Sequence, residues 1–146
     1  MSATVFGIDP GQSGGIAWID ERGRACVIKM PETLQDLWEF IGEFKADECK
    51  AYLEQVHSMP GQGVSSSFKF GNGFGHLEMA LTAAGIPFER VTPQKWQKAM
   101  GCMTKGDKNV SKRRAQELFP SIKCTHATAD ALLIAQFGRN SNHGNS

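Results

Sequence analysis

The run Thr4-Val-Phe-Gly-Ile-Asp9-Pro-Gly-Gln-Ser-Gly-Gly-Ile-Ala-Trp-Ile19 decides the architecture. Its first six residues are apolar and β-prone and stop at Pro10-Gly11, which reads as a central strand ending in a sharp turn, with Asp9 at the strand end. Ile16–Ile19 reads as a second strand, 20–23 as a hairpin turn and Ala25–Met30 as a third strand, so the chain opens with an antiparallel meander.

Further along, Thr33 is a plausible N-cap, and Leu34, Leu37, Trp38, Ile41 and Phe44 recur at helical spacing behind it. Lys50–Val56 is a short apolar run read as a fourth strand, with Glu54 near its exit. The segment 58–75 is rich in glycine and serine and carries Phe68, Phe70 and Phe74, which predicts a flexible loop leading into a helix around 76–84. Pro87–Val91 suggests a fifth strand, followed by helices over 93–100, 108–119 and 128–137. The polar tail 138–146 is expected to be disordered. A three-stranded meander followed by alternating α and β elements predicts an α/β fold. It would be a mixed five-stranded sheet with parallel strands added to the meander, flanked by helices. The length of 146 residues suits one domain, expected over 1–137.

No apolar run approaches the roughly 18–20 residues of a membrane span, and the N-terminus has no secretory pattern, so a cytoplasmic protein without a membrane partner is expected. Cys26, Cys49, Cys102 and Cys124 form no CxxC pair and read as reduced thiols; Cys124-Thr125-His126 lacks the paired spacing of structural zinc sites. The formal net charge of +1 conceals a strong asymmetry. Residues 1–89 contain six Lys or Arg against twelve Asp or Glu, whereas residues 90–123 contain nine basic residues and only Asp107 and Glu117 as acids. An acidic part beside a basic part suits an enzyme that holds cations with one and phosphates with the other.

Hydrolysis of a phosphodiester needs an activated water and neutralisation of charge on the phosphate and the leaving oxygen. Two divalent cations can provide both, and hard cations such as Mg²⁺ prefer carboxylate oxygens. Asp9 and Glu54 would meet if the first and fourth strands lie side by side, and Asp130 near the start of the last helix could face them. Taken singly, these are a turn former, a solvated strand-end acid and a helix N-terminal acid. Together, at strand ends and after a glycine-rich turn, they make a candidate site. His126 lies four residues before Asp130 and shares its face if that segment is helical, where imidazole could ligate metal or move a proton.

The stretches Gly7-Ile-Asp-Pro-Gly-Gln-Ser-Gly-Gly-Ile-Ala17, Leu53-Glu-Gln-Val56 and Ala129-Asp-Ala-Leu-Leu-Ile-Ala135 resemble, in order and context, the RuvC family of Holliday-junction resolvases, and the chain looks like a compact bacteriophage-type member. The resemblance implies a ribonuclease-H-like fold, a homodimer on four-way and related branched DNA, and Mg²⁺- or Mn²⁺-dependent paired nicking with two ions per site. It would place the protein in the cytoplasm of a bacterial cell or phage-infected host. Asp9, Glu54 and Asp130 match three of the family's four metal-binding acids. The fourth family position falls on Ala127; His126, one residue back, is its candidate replacement, with Asp107 a weaker one. Where the family carries a wedge Phe after Glu-Gln-Val, this chain has His57, and stacking on the junction could come instead from Phe68, Phe70 or Phe74; the alternative is that these rings pack onto the core. Lys95, Lys105 and Lys108 lie where the family places phosphate-contacting lysines, and Lys112, Arg113 and Arg114 extend that basic surface or form a solvated helix face.

Three rival readings remain at this level. The Asp-Pro-Gly-x-x-Gly-Gly turn resembles the phosphate loop of actin-like kinases, but those need two such domains. A ribosomal-RNA-maturation nuclease of the same superfamily, and a branched-DNA binding module that no longer cuts, are the others.

Overall fold

Side chains alternate across a strand, so Val5, Gly7 and Asp9 share one face of β1 (Thr4–Asp9) while Phe6 and Ile8 share the other. A computed structural model gives the structure of the protein and describes residues 3–56, 61, 63–103 and 106–144. β1 lies at the centre of a five-stranded sheet of order β3-β2-β1-β4-β5, in which β2 is Gly15–Ile19, β3 Ala25–Lys29, β4 Cys49–Glu54 and β5 Phe88–Val91. β1, β2 and β3 pair antiparallel as the expected meander; β4 and β5 add to the other side in parallel. The mixed five-stranded α/β fold predicted from the sequence is the fold observed.

Each face of the sheet has its own core. On one, Phe6, Ile8, Ile16, Ala51 and Leu53 pack against α1 (Leu34–Ile41) and α2 (Val64–Ala84). On the other, Val5, Ala17, Ile19, Tyr52 and Val91 pack against α3 (Pro93–Ala99), α4 (Lys108–Leu118) and above all α5 (His126–Gly144), whose Leu132, Leu133 and Ile134 are fully buried. α1 begins as read: the Thr33 hydroxyl accepts from the Asp36 N–H at 3.0 Å.

α5 crosses the sheet with a small-residue stripe beneath it. A Cβ on Gly7 would overlap the backbone of Ala131 and Ala135, one on Gly15 would press on the carbonyl of Ala127, and one on Gly138 would overlap the Tyr52 ring. Glycine at positions 7 and 15 therefore lets helix and strand backbones come into direct contact, and at 138 it lets the Tyr52 ring lie against the helix.

Two expectations are corrected here. The segment 64–75 is helix rather than loop, because α2 begins at Val64 and runs unbroken to Ala84. Phe74 packs into the α1–α2 core and Phe70 lies against Gly11, so burial of these rings offsets the poor helix propensity of Gly71, Gly73 and Gly75. Nor does the last helix stop at 137: α5 continues through Gly144. Tyr52 holds it there, its hydroxyl donating to Asn142 Oδ1 at 2.7 Å while its ring meets Phe137 edge-on. His57 and Lys105 lie outside the described residues. Among the described residues, no helix is long and apolar enough to cross a membrane.

These contacts predict opposite outcomes for one chemical change. Gly7→Ala should lose about 3 kcal/mol or fail to fold, since backbone on both sides cannot yield. Gly71→Ala, where an added Cβ meets nothing within 4 Å, should gain about 0.5–1 kcal/mol. Urea midpoints of the two variants measure both.

Candidate active site

β1 and β4 run parallel with Ile8 paired to Leu53, so their next residues, Asp9 and Glu54, leave the sheet side by side at the same end. Both project to the α5 face. Asp9 is followed by the turn at Pro10-Gly11, where Gly11 has φ 109°, and an N–H of Gly14 to the Gly11 carbonyl at 3.2 Å turns the chain into β2.

Glu54 is only 7% exposed. Its neighbour in β5 is Val91, and the chain then enters α3 through Thr92, whose hydroxyl caps the Lys95 N–H, with Pro93 at the first helical position. One turn later the fully buried Trp96 donates its indole N–H to Glu54 Oε2 at 2.7 Å.

Asp130 comes from the second turn of α5. The helix starts at His126 rather than 128, with Thr125 and Thr128 hydroxyls 3.1 Å apart at its entrance, so His126 and Asp130 do share a face. The buried Ser111 of α4 hydrogen-bonds the Asp130 carboxylate. Asp107 caps α4, accepting from the Asn109 N–H at 3.0 Å, and Lys108 follows at the helix start.

Together these elements frame a cleft of about 390 Å³ lined by Asp9, Ser13, Gln97, Gly106, Asp107, Lys108, Ser111, His126 and Asp130. Glu54 lies behind it. A separate hollow between α1 and α2 is walled by Leu34, Leu37, Trp38, His76, Met79, Ala80 and Ala83, and offers no carboxylate.

Burial and crowding set the protonation of the acids. Asp9 is pushed up to about 8, first by burial and then by the charges of Glu54 and Asp130, while the Lys108 cation opposes the shift. Glu54 is raised to about 7 by burial, although the Trp96 N–H favours its ionised form. Asp9 donates to Glu54, so the pair shares a proton at neutral pH. Asp130 is raised by burial and held back by Ser111, Lys108 and His126. Among the described residues, no three His, Cys, Asp or Glu side chains stand together as a ready ligand set for one metal ion.

The other sequence candidates are spread more widely. Lys95 and Arg113 are exposed and Lys112 half-buried on α3 and α4. Arg114 is used within the fold, its Nε donating to the Met100 carbonyl at 3.0 Å and its guanidinium facing Glu117 at 3.3 Å. Phe68 is 68% exposed, unlike Phe70 and Phe74. Sequence reading missed Trp96, Ser111, Gln97 and Ser13. A signal existed for the first, because a buried indole requires an acceptor.

No family model matches the chain, and no curated protein matches it in sequence. Among solved structures, Thermus thermophilus RuvC in complex with a Holliday junction substrate is similar to it, with a TM-score of 0.67 and 18% identity over 97% of this chain and 96% of that one. A further structure of RuvC from the same organism aligns over the same shares at TM-score 0.61 and 18% identity. The yeast mitochondrial Holliday junction resolvase Ydc2 aligns at TM-score 0.55 and 14% identity over 99% of this chain and 82% of that one. The chain thus has the RuvC-like, ribonuclease-H-like fold.

The protonation pattern predicts a pH dependence in chelator. Because the folded Asp9 pKa lies near 8 and its ordinary value near 3.8, folding retains a proton that the unfolded chain releases. The stability tied to that proton is complete below about pH 4 and lost as pH rises through 8. Asp9→Asn should therefore melt higher than the parent at pH 8, by on the order of 5 °C, with the gap closing toward pH 4.

Proposed function

We propose that the protein is a metal-dependent endonuclease that resolves four-way and related branched DNA by paired nicks. Asp9, Glu54, Asp130 and His126 would hold its divalent cations. The observation that carries this reading is that Asp9 and Glu54 leave parallel β1 and β4 side by side, with the charge of Asp130 from α5 acting on both and Lys108 acting on Asp9 and Asp130. The motifs shared with the RuvC family and the likeness in fold to resolvases support it.

The donors suit Mg²⁺ or Mn²⁺. They are hard carboxylate oxygens with one imidazole, and the proton shared by Asp9 and Glu54 marks a place where positive charge is wanted. When bound, such ions, two per site in this reading, would activate a water and neutralise charge on the phosphate and leaving oxygen. The chain's own groups have separable duties. Glu54 is a buried anchor behind the cleft, whereas Asp9 and Asp130 face it. Lys108, at the rim, draws the scissile phosphate toward the acids, and His126 completes the ligand set or passes a proton to the leaving oxygen. Lys95, Lys112 and Arg113 contact backbone phosphates away from the cut, which positions DNA without reading its sequence. The exposed Phe68 is the ring best placed to stack on an unpaired base, and a homodimer would supply the second nick.

Incubation of the protein with a labelled four-way junction and Mg²⁺ should give symmetric nicks that chelation abolishes. Asp9→Asn should cut at least 10²-fold more slowly yet bind the junction normally in chelator; equal loss of binding and cutting would mean a structural role. Mg²⁺ at pH 8 should raise the melting temperature of the parent and not of Asp9→Asn. Preferential cutting of structured RNA would favour the ribosomal-RNA-maturation reading, and tight junction binding without any cutting would favour a binding module.

A further inference from the structure

Trp96 is the largest fully buried side chain in the molecule, yet it ends on a carboxylate. Its apolar body belongs to the core formed by Met100, Cys102, Ala115 and the α5 residues, which explains a large side chain there but not an indole. The indole's one polar atom lies 2.7 Å from Glu54 Oε2. We infer that Trp96 is a positioning residue for the metal-binding acid Glu54, holding one carboxylate oxygen so that the other is presented toward Asp9.

The chemistry of the donor favours this role. An indole N–H only donates, so it imposes a single orientation on its acceptor, in contrast to a hydroxyl that could rotate or accept. It is also neutral. A Lys or Arg in its place would orient Glu54 equally well but cancel the negative charge that attracts a cation. Ser111 serves Asp130 in the same neutral way from α4, so two of the three acids are steadied without loss of charge.

Backbone structure leaves the indole little freedom. Gln55 donates its N–H to the Val91 carbonyl at 2.8 Å, locking β4 to β5 beside Glu54. Thr92 and Pro93 then start α3 at once, and Trp96 accordingly follows Glu54's neighbour Val91 by little more than one helical turn. Groups that hold a metal ligand from behind typically change metal affinity 10- to 100-fold when removed.

This inference rests on the proposed metal site, and Mn²⁺ titration followed by electron paramagnetic resonance tests the two separately. The full-length parent should bind Mn²⁺, and Trp96→Phe, which keeps an aromatic ring but no N–H, should bind it about 10-fold or more weakly. A protein carrying 3-benzothienylalanine at position 96 alone, where sulfur replaces the N–H in an isosteric ring, should show the same loss even if the Phe variant folds poorly. In a Glu54→Gln background, removal of the N–H should produce no further loss, whereas a general packing defect would add to it. Mn²⁺ affinity within twofold of the parent in the benzothienyl protein would overturn the role of Trp96 while leaving the metal site standing. Absence of Mn²⁺ binding by the parent would overturn both.

Discussion

Everything near the site depends on α5 touching β1 with no side chain between them. Gly7 faces the backbone at Ala131 and Ala135, and Gly15 faces Ala127, so the helix sits closer to the sheet than ordinary side chains permit. The same helix carries Asp130, whose charge acts on Asp9. With an alanine at position 7, the helix would have to rise or slide, and the acids would part before any of their own atoms had changed. The buried Leu132, Leu133 and Ile134 supply the apolar driving force for this contact; the glycines supply its distance.

That closeness has an electrostatic price. Asp9 and Glu54 are crowded side by side, the charge of Asp130 raises both, and Lys108 opposes the shift at Asp9 and at Asp130. The fold accommodates them partly by protonation and partly through neutral donors, the Trp96 indole and the Ser111 hydroxyl. Crowded carboxylates of this kind are unfavourable in the absence of positive charge.

Much of this was legible in the sequence. The meander and parallel additions followed from Thr4–Ile19 and the later apolar runs, and Asp9 and Glu54 were identified as strand-end acids because alternation and turn residues are local signals. The failures have a common physical cause. Residues 64–75 look like a loop because glycine disfavours helix, whereas the packing of Phe70 and Phe74 on distant segments favours it. The last turns of α5 look like a polar tail because their anchor, Tyr52, is far away in sequence. Trp96 was missed for the same reason: its apolar body is a local fact, its partner Glu54 a tertiary one.

The parallel pairing of β1 and β4 carries a safeguard as well as a geometry. Asp9 and Glu54 are neighbours because Ile8 is paired with Leu53, and a slip of one residue would swing Glu54 into the layer occupied by α1 and α2. A chain with misaligned strands therefore has no three-acid arrangement at all, not a distorted one. The arrangement needs the sheet closed in its proper alignment and α5 settled on it, so a half-folded molecule would lack it.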